Sequence, residues 1–411
     1  ARRREPQNAP DTASDMRSML PLLRRAAPAP VAARAFAAVP RAAPFAAARL
    51  AIPSAAPMPA AVSRRQMSTL GAGDDIEIDD VAYAFMASQA LFTALETGIF
   101  DAIAAAGDGG LKLEELKAAS GVNAPRMQTL LTSLVALKSL RRSADGHYTL
   151  SPNTANFLVT SAKYYYGDYL RYQMGRQFYH RMGALPDVMT TGVAPSYASW
   201  FSDPEVAATY TKAQHNGSVA TAKALVKRLS FEGVSHMLDV GGGSGAFSYV
   251  FCDKNPGLTS KVLELPEVCA TGNGIKATQK QAVQDAVSFV ELDATSPDWP
   301  VSDAEFDVVL MSYISGSVPE AIIGSLYANA FKALKPKGKL IVHDFMVNDS
   351  LDGPPLGALW ALQHVTVNAD GLGLCPKEVI SRMAAGGFDA SKCETMEMIK
   401  GLTKVIIANK N

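Results

Sequence analysis

Apolar positions recur at helical spacing from Val81 to Ala106, where Tyr83, Met86, Ala90, Leu91, Leu95 and Ile99 would line one stripe. Leu113–Ser120, Gly121 and Ala124–Leu140 then read as helix, turn and helix. Arg141–Leu150 reads as a hairpin turning at Asp145-Gly146. That order is a winged helix, so residues 73–162 are expected to form one small domain. Residues 163–231 read as linking helices. From Ser235 the pattern changes. Strand-like apolar runs at 236–240, 261–265, 287–292, 306–314 and 339–345 alternate with helical segments, and an antiparallel pair is expected at 393–399 and 403–409. The alternation predicts an α/β fold, a doubly wound Rossmann-like sheet with helices on both faces, within 163–411.

Met237–Phe247, MLDVGGGSGAF, is the most informative stretch. A buried strand ends in Asp239 and opens into Gly241, Gly242, Gly243 and Gly245, where a helix begins. Glycines permit unusual backbone angles and close approach of a ligand, and the helix N-terminus beyond favours an anionic group. A tight turn without a ligand would use the same glycines. Glu264 adds weight: it ends the next strand, nineteen residues beyond Gly245, where an acid can accept both ribose hydroxyls of a nucleoside cofactor. Asp239, Glu264, Asp293, Tyr313 and Asp344 all fall at carboxyl ends of predicted strands, where open α/β sheets bind ligands. Between the domains, Tyr164, Tyr165, Tyr166, Tyr169, Tyr172, Phe178, Tyr179 and Trp200 suit a flat aromatic substrate, or helical packing. His180 and His215 also fall there.

Charge changes the picture at the N-terminus. The 39 basic and 39 acidic residues balance overall, but residues 1–67 hold eleven Arg, no Lys and three acids. The rest is acidic, which argues against nucleic acid as its partner. From Met16 to Met67 there are eight Arg and no acid, amid Ala and Pro, so residues 1–72 read as an organellar targeting segment. Arg65-Gln66-Met67-Ser68 resembles a mitochondrial processing site, with a chloroplast transit peptide as the alternative. Outside this leader no run of eighteen apolar residues predicts a membrane span. Cys252, Cys269, Cys375 and Cys393 have no paired spacing and are expected to be buried thiols.

The glycine spacing is Asp-x-Gly-x-Gly-x-Gly rather than that of dinucleotide enzymes. With LELPEV, FDVVLMSYI, ALKPKGKLIVHDF and AAGGF, it resembles the class I S-adenosylmethionine-dependent methyltransferases. More narrowly, residues 78–411 are similar to the O-methyltransferases that act on plant phenolics and hydroxyindoles. The resemblance implies S-adenosylmethionine held by Asp239, Gly241, Gly243, Gly245, Glu264 and Asp293, a small aromatic acceptor, and a homodimer formed through the winged-helix domain.

One half of the resemblance fails. The family places a catalytic His after the fourth strand, and here that position is Gly316. Of the two acids that flank the family His, Asp344 matches one and Gly373 replaces the other. His364, on the helix expected after Pro354-Pro355, is the preferred substitute base, ahead of His343. Without a base, turnover of a neutral phenol is expected to rise with pH as the acceptor ionises. The rival expectation is a catalytically inactive methyltransferase fold serving as a structural subunit of a mitochondrial complex. A NAD-dependent oxidoreductase is disfavoured by the glycine spacing, and a winged-helix DNA regulator by the acidic body.

Overall fold

A computed structural model describes residues 76–411 other than 369, 371–372 and 400–402. The leader expectation lies outside the described residues. The first long stripe is two helices, Ile78–Glu96 and Ile99–Ala105, not one. Gly98 adopts a left-handed conformation (φ 68°) that ends the first and starts the second. Tyr83 and Met86, expected on the packed stripe, are exposed, whereas Leu95 and Ile99 are buried. The helices Leu113–Ser120 and Ala124–Ala136 follow, the second shorter than expected because Lys138 turns left-handed (φ 59°). Strands β1 (Leu140–Arg142) and β2 (Tyr148–Leu150) pair antiparallel. Their connection spans five residues rather than an Asp145-Gly146 turn, because the Ser143 amide donates to the His147 carbonyl. Leu116, Met127, Leu131, Leu134 and Tyr148 fill the core of this region.

A π-helical stretch, Tyr169–Phe178, leads through short helices to a long one, Pro204–Leu225, whose N-terminal amides are capped by Asp203. The large sheet then builds from β3 (His236–Val240), β4 (Thr259–Glu264), β5 (Val287–Glu291), β6 (Phe306–Ser312), β7 (Leu334–Phe345), β8 (Glu394–Ile399) and β9 (Thr403–Asn409). Its order is β5-β4-β3-β6-β7-β9-β8. The first five strands are parallel; β9 runs antiparallel to both β7 and β8. β6 is apolar from Val308 to Met311 because both its faces are covered there. β7 begins five residues earlier than its apolar run predicts. Lys335-Pro336-Lys337-Gly338 looks like a loop, yet Leu334 pairs with Phe306 across an irregularity in the register. Lys404 of β9 is buried and donates to the carbonyls of Met346 (3.2 Å) and Val347 (3.0 Å) and to Asn348 Oδ1 (3.2 Å). It thereby ties the last strand to the segment leaving β7. Cys252, Cys269 and Cys375 are buried, Cys393 partly so, and all four are free. Among the described residues no helix is long and apolar enough to cross a membrane.

Candidate active site

The glycine loop is shaped by what lies against it. A side chain at Gly241 would strike Ile314, and one at Gly242 would strike Asp239 and Val262. Gly243 differs: its φ is +57°, it borders the main cavity, and an added Cβ would meet no protein atom within 4 Å. Asp239 is wholly buried beneath the loop. Its Oδ2 accepts from Ser248 Oγ at 2.7 Å, and Ser248 in turn meets Ser260 Oγ at 2.8 Å. Burial pushes its carboxyl up to about 6. Asp239 and Gly245 therefore stand outside the cavity lining: the acid supports the loop from below, and Gly245 caps the helix Ala246–Lys254 against Tyr249 and Phe289. Both were expected among the cofactor-binding residues; neither borders the cavity itself.

Glu264 does face the cavity. Its Oε2 accepts from the Gly243 amide and its Oε1 from the Leu265 amide, both at 2.8 Å. Burial raises its pKa to about 7, against the pull of those amides, with Asp239 and Asp293 adding repulsion. Asp293 also lines the cavity, with Oδ1 accepting from the Thr295 amide (2.9 Å) and hydroxyl (2.7 Å). Loop amides, open space at Gly243 and an acid at the neighbouring strand end fit a nucleoside-bearing cofactor.

The same cavity, about 1570 Å³, continues to a second wall. Tyr313 ends β6 in a left-handed conformation (φ 62°), an angle bulky side chains rarely adopt. Its ring lies 5.0 Å from Phe345, which stacks on Trp360 at 4.3 Å, and Trp360 meets His364 edge-on at 6.2 Å. Thr221 of the long helix also lines the cavity, its hydroxyl donating to the Gly217 carbonyl at 3.1 Å. His364 borders the cavity on the helix Pro355–Val365 and is buried, which pulls its pKa down to about 4. A Cβ at Gly316 would sit 3.2 Å from His364 Cδ2 and 3.3 Å from Nε2. The imidazole thus lies a few tenths of an ångström inside ordinary contact with the place where a side chain at 316 would begin.

Asp344 does not join it there. Its Oδ1 accepts from the Phe345 amide at 2.9 Å and its Oδ2 from the Gly316 amide at 3.4 Å, and it does not line the cavity. Burial raises it to about 7. Asp344, expected to be catalytic, thus faces the turn at Ser315-Gly316 rather than the cavity. His343 lies off the cavity, its Nδ1 2.9 Å from Ser312 Oγ and its ring 4.7 Å from Tyr313. Of the interdomain aromatics, Tyr164, Tyr165, Tyr166 and Tyr169 line the cavity. Phe178 and Trp200 pack on each other and on Tyr210, while Tyr172 carries the guanidinium groups of Arg171 and Arg176. His215 bonds Ser244 Oγ at 2.9 Å from outside this wall. Missed in the sequence were Tyr210, Gln214, Gly217 and Thr221, which bring the long helix to the cavity. Their spacing of three and four residues is the signal.

Residues 173–389, more than half of the chain, match the family described as the O-methyltransferase domain. The chain belongs to that family. Residues 80–161 match the O-methyltransferase dimerisation domain, so the region preceding the sheet domain is a dimerisation domain. This O-methyltransferase is 27% identical over 292 residues to the 3-hydroxy-5-methyl-1-naphthoate 3-O-methyltransferase of Streptomyces sahachiroi, covering 69% of this chain and 81% of that one. It is 26% identical over 326 residues to human acetylserotonin O-methyltransferase, covering 76% and 91% respectively. Its fold superposes on human N-acetylserotonin methyltransferase, solved in complex with SAM, with a TM-score of 0.72 at 22% identity, covering 83% of this chain and all of that one.

Proposed function

We propose that this chain transfers a methyl group from S-adenosylmethionine to the hydroxyl of a small aromatic acceptor, and that it works as a homodimer. One observation carries the reading: a single cavity joins the Gly243 loop and Glu264 to the wall of Tyr313, Phe345, Trp360 and His364. The loop amides and Glu264 would hold the cofactor, which supplies an electrophilic methyl group when bound. The stacked rings of Phe345 and Trp360 offer a flat apolar face on which an aromatic acceptor lies. His364, kept neutral by burial, accepts the hydroxyl proton as the acceptor oxygen is alkylated. Gly316 contributes by having no side chain: it leaves the imidazole room at the cavity wall. Asp344 accepts from the Gly316 amide and from that of its neighbour Phe345, which ties the turn to β7 and so fixes where the gap lies. The Arg-rich leader supports residence in mitochondria.

Calorimetric titration with S-adenosylmethionine and with NAD, followed by methyl transfer to a panel of phenols and naphthols, tests the reading. Binding of the first ligand alone, with turnover of at least one aromatic hydroxyl, is expected. Cofactor binding without turnover of any aryl hydroxyl would favour an inactive subunit, and binding of NAD alone would overturn the family chemistry.

A further inference from the structure

The helix Pro204–Leu225 carries a histidine that the chemistry above does not use. Tyr210, Gln214, Gly217 and Thr221 turn one face of this helix to the main cavity. Lys212 and His215, three residues apart, border a separate groove instead, closed on its far side by Glu267 and Thr271 of the helix Pro266–Lys276. From that groove the half-buried imidazole reaches inward. Its Nδ1 lies 2.9 Å from Ser244 Oγ, and its ring centre 6.3 Å from that of Tyr249. Ser244 is buried and, unlike His215, lines the main cavity at the glycine loop. His215 therefore stands behind the loop and meets it through a single side chain.

The loop needs such a hold. Ser244 sits between Gly243 (φ 57°) and Gly245 (φ 79°), the residue type with the widest choice of backbone angles. Two bonds fix its flanks: the Gly243 amide donates to Glu264 Oε2 at 2.8 Å, and the Gly245 amide to the Gly242 carbonyl at 2.9 Å. Neither acts on Ser244 itself, whereas the bond to His215 does. Burial lowers the pKa of the ring and keeps it neutral near pH 7. A neutral imidazole has one N–H and one lone pair, and a hydroxyl offers both, so the pair is satisfied in either tautomer.

We propose that His215 is a positioning residue for the methyl donor: through Ser244 it holds the Gly243–Gly245 turn in the shape that receives S-adenosylmethionine, without meeting the ligand itself. The long helix then lines the cavity with one face and steadies the donor loop with another. Without that bond the cofactor would have to order the turn on binding, and affinity would fall by the free energy this requires. The inference rests on the methyl-donor reading of the loop and adds a residue to it.

Calorimetric titration of the full chain with S-adenosylmethionine, paired with steady-state methyl transfer, tests this on four variants. His215→Leu and His215→Asn have nearly the same side-chain shape, but Asn keeps a polar atom where Nδ1 stood. The Leu variant is expected to bind the donor about fivefold more weakly, the worth of one neutral hydrogen bond, and the Asn variant to stay within about twofold of wild type. Ser244→Ala should match the Leu variant, and His215→Leu combined with Ser244→Ala should be no weaker than either alone, because both remove the same bond. In the Leu variant the loss should appear as a higher KM for the donor, with kcat at saturating donor changed less than about twofold. Leu and Asn variants that bind the donor alike, or losses that multiply in the combined variant, would overturn the inference while wild-type binding still upheld the donor site. A lowered Tm with an unchanged donor Kd would overturn it in the same way. If the Leu variant does not fold, Ser244→Ala decides alone, an unchanged Kd counting against the proposal. A wild-type chain that does not bind S-adenosylmethionine would sink both readings.

Discussion

The relation between Gly316 and His364 yields the sharpest prediction. Gly316 has no left-handed backbone angle, so alanine is conformationally tolerated there, and its only effect is the added Cβ. That atom would lie 3.2 Å from His364 Cδ2 and 3.3 Å from Nε2, a few tenths of an ångström inside ordinary contact. The imidazole must shift by about that much. A misplacement of about 1 Å costs on the order of 10²-fold, so Gly316→Ala is expected to lower kcat roughly three- to tenfold. His364→Ala removes the base itself, and for so weakly basic a group the cost is expected near the lower end of the usual range, about 10²-fold. In the His364→Ala background there is no ring to displace, so adding Gly316→Ala should change kcat less than about twofold. The assay is formation of S-adenosylhomocysteine with the best aryl acceptor, with cofactor affinity and Tm measured in parallel. The pH arm is independent. An imidazole titrating near 4 is in its basic form from pH 6 to 9, so wild-type kcat/KM on a neutral phenol should be flat there. In His364→Ala the same quantity should rise about tenfold per pH unit as the phenol, with pKa near 10, ionises. Multiplicative losses in the double variant, or a wild-type profile that already climbs tenfold per unit, would refute His364 as the base.

Five further outcomes are expected. Glu264 titrates near 7 in the cofactor-free protein, so a cofactor that donates hydrogen bonds to its carboxylate should bind more tightly as pH rises from 5.5 to 7.5, releasing a proton; Glu264→Gln should remove the pH dependence in calorimetry. The same raised pKa means Glu264 favours folding at low pH, a contribution lost as pH rises from its unfolded value near 4.5 through 7, so the Tm of wild type should fall relative to Glu264→Gln over that window. Gly243→Leu should abolish cofactor binding, because the side chain enters open cavity at a left-handed backbone position, and an unchanged Kd would show the cofactor lies elsewhere. Light scattering should give twice the monomer mass, and N-terminal sequencing of protein from its source should find cleavage near Met67; a micromolar monomer, or a start upstream of residue 40, would count against these two proposals.

The strands were legible because each is an apolar run closed by turn residues, and the Gly241–Gly245 loop because glycine there answers to close approach by Ile314, Asp239 and Tyr249. Glu264 was legible from its place at the strand end next to the loop. What spacing alone could not convey was direction. Asp239 and Asp344 both lie near strand ends, yet Asp239 turns one oxygen to Ser248 and Asp344 both of its own to backbone amides instead of facing the cavity. The meeting of His364 with Gly316 depends on how a helix almost fifty residues downstream is laid across the sheet, which no local pattern encodes. The long helix escaped notice for a different reason. Its Ala, Gly and Thr face reads as ordinary packing until the aromatic segment opposite is in view.

Lys404 bears on how such a protein can change its substrate. The cofactor end of the cavity is braced by residues of β3, β4 and the helix between them, through Asp239, Ser248 and Ser260. The acceptor end takes its brace from the opposite edge of the sheet, where the buried ammonium of Lys404 gathers Met346, Val347 and Asn348 just beyond Phe345. The two braces share no residue. Substitutions in the C-terminal hairpin are therefore expected to retune which molecules the wall at Phe345 admits while the glycine-loop end stays untouched, and a laboratory selection for new acceptors is expected to find permissive positions on β9, beside Asp344 and Phe345 rather than in the cavity lining.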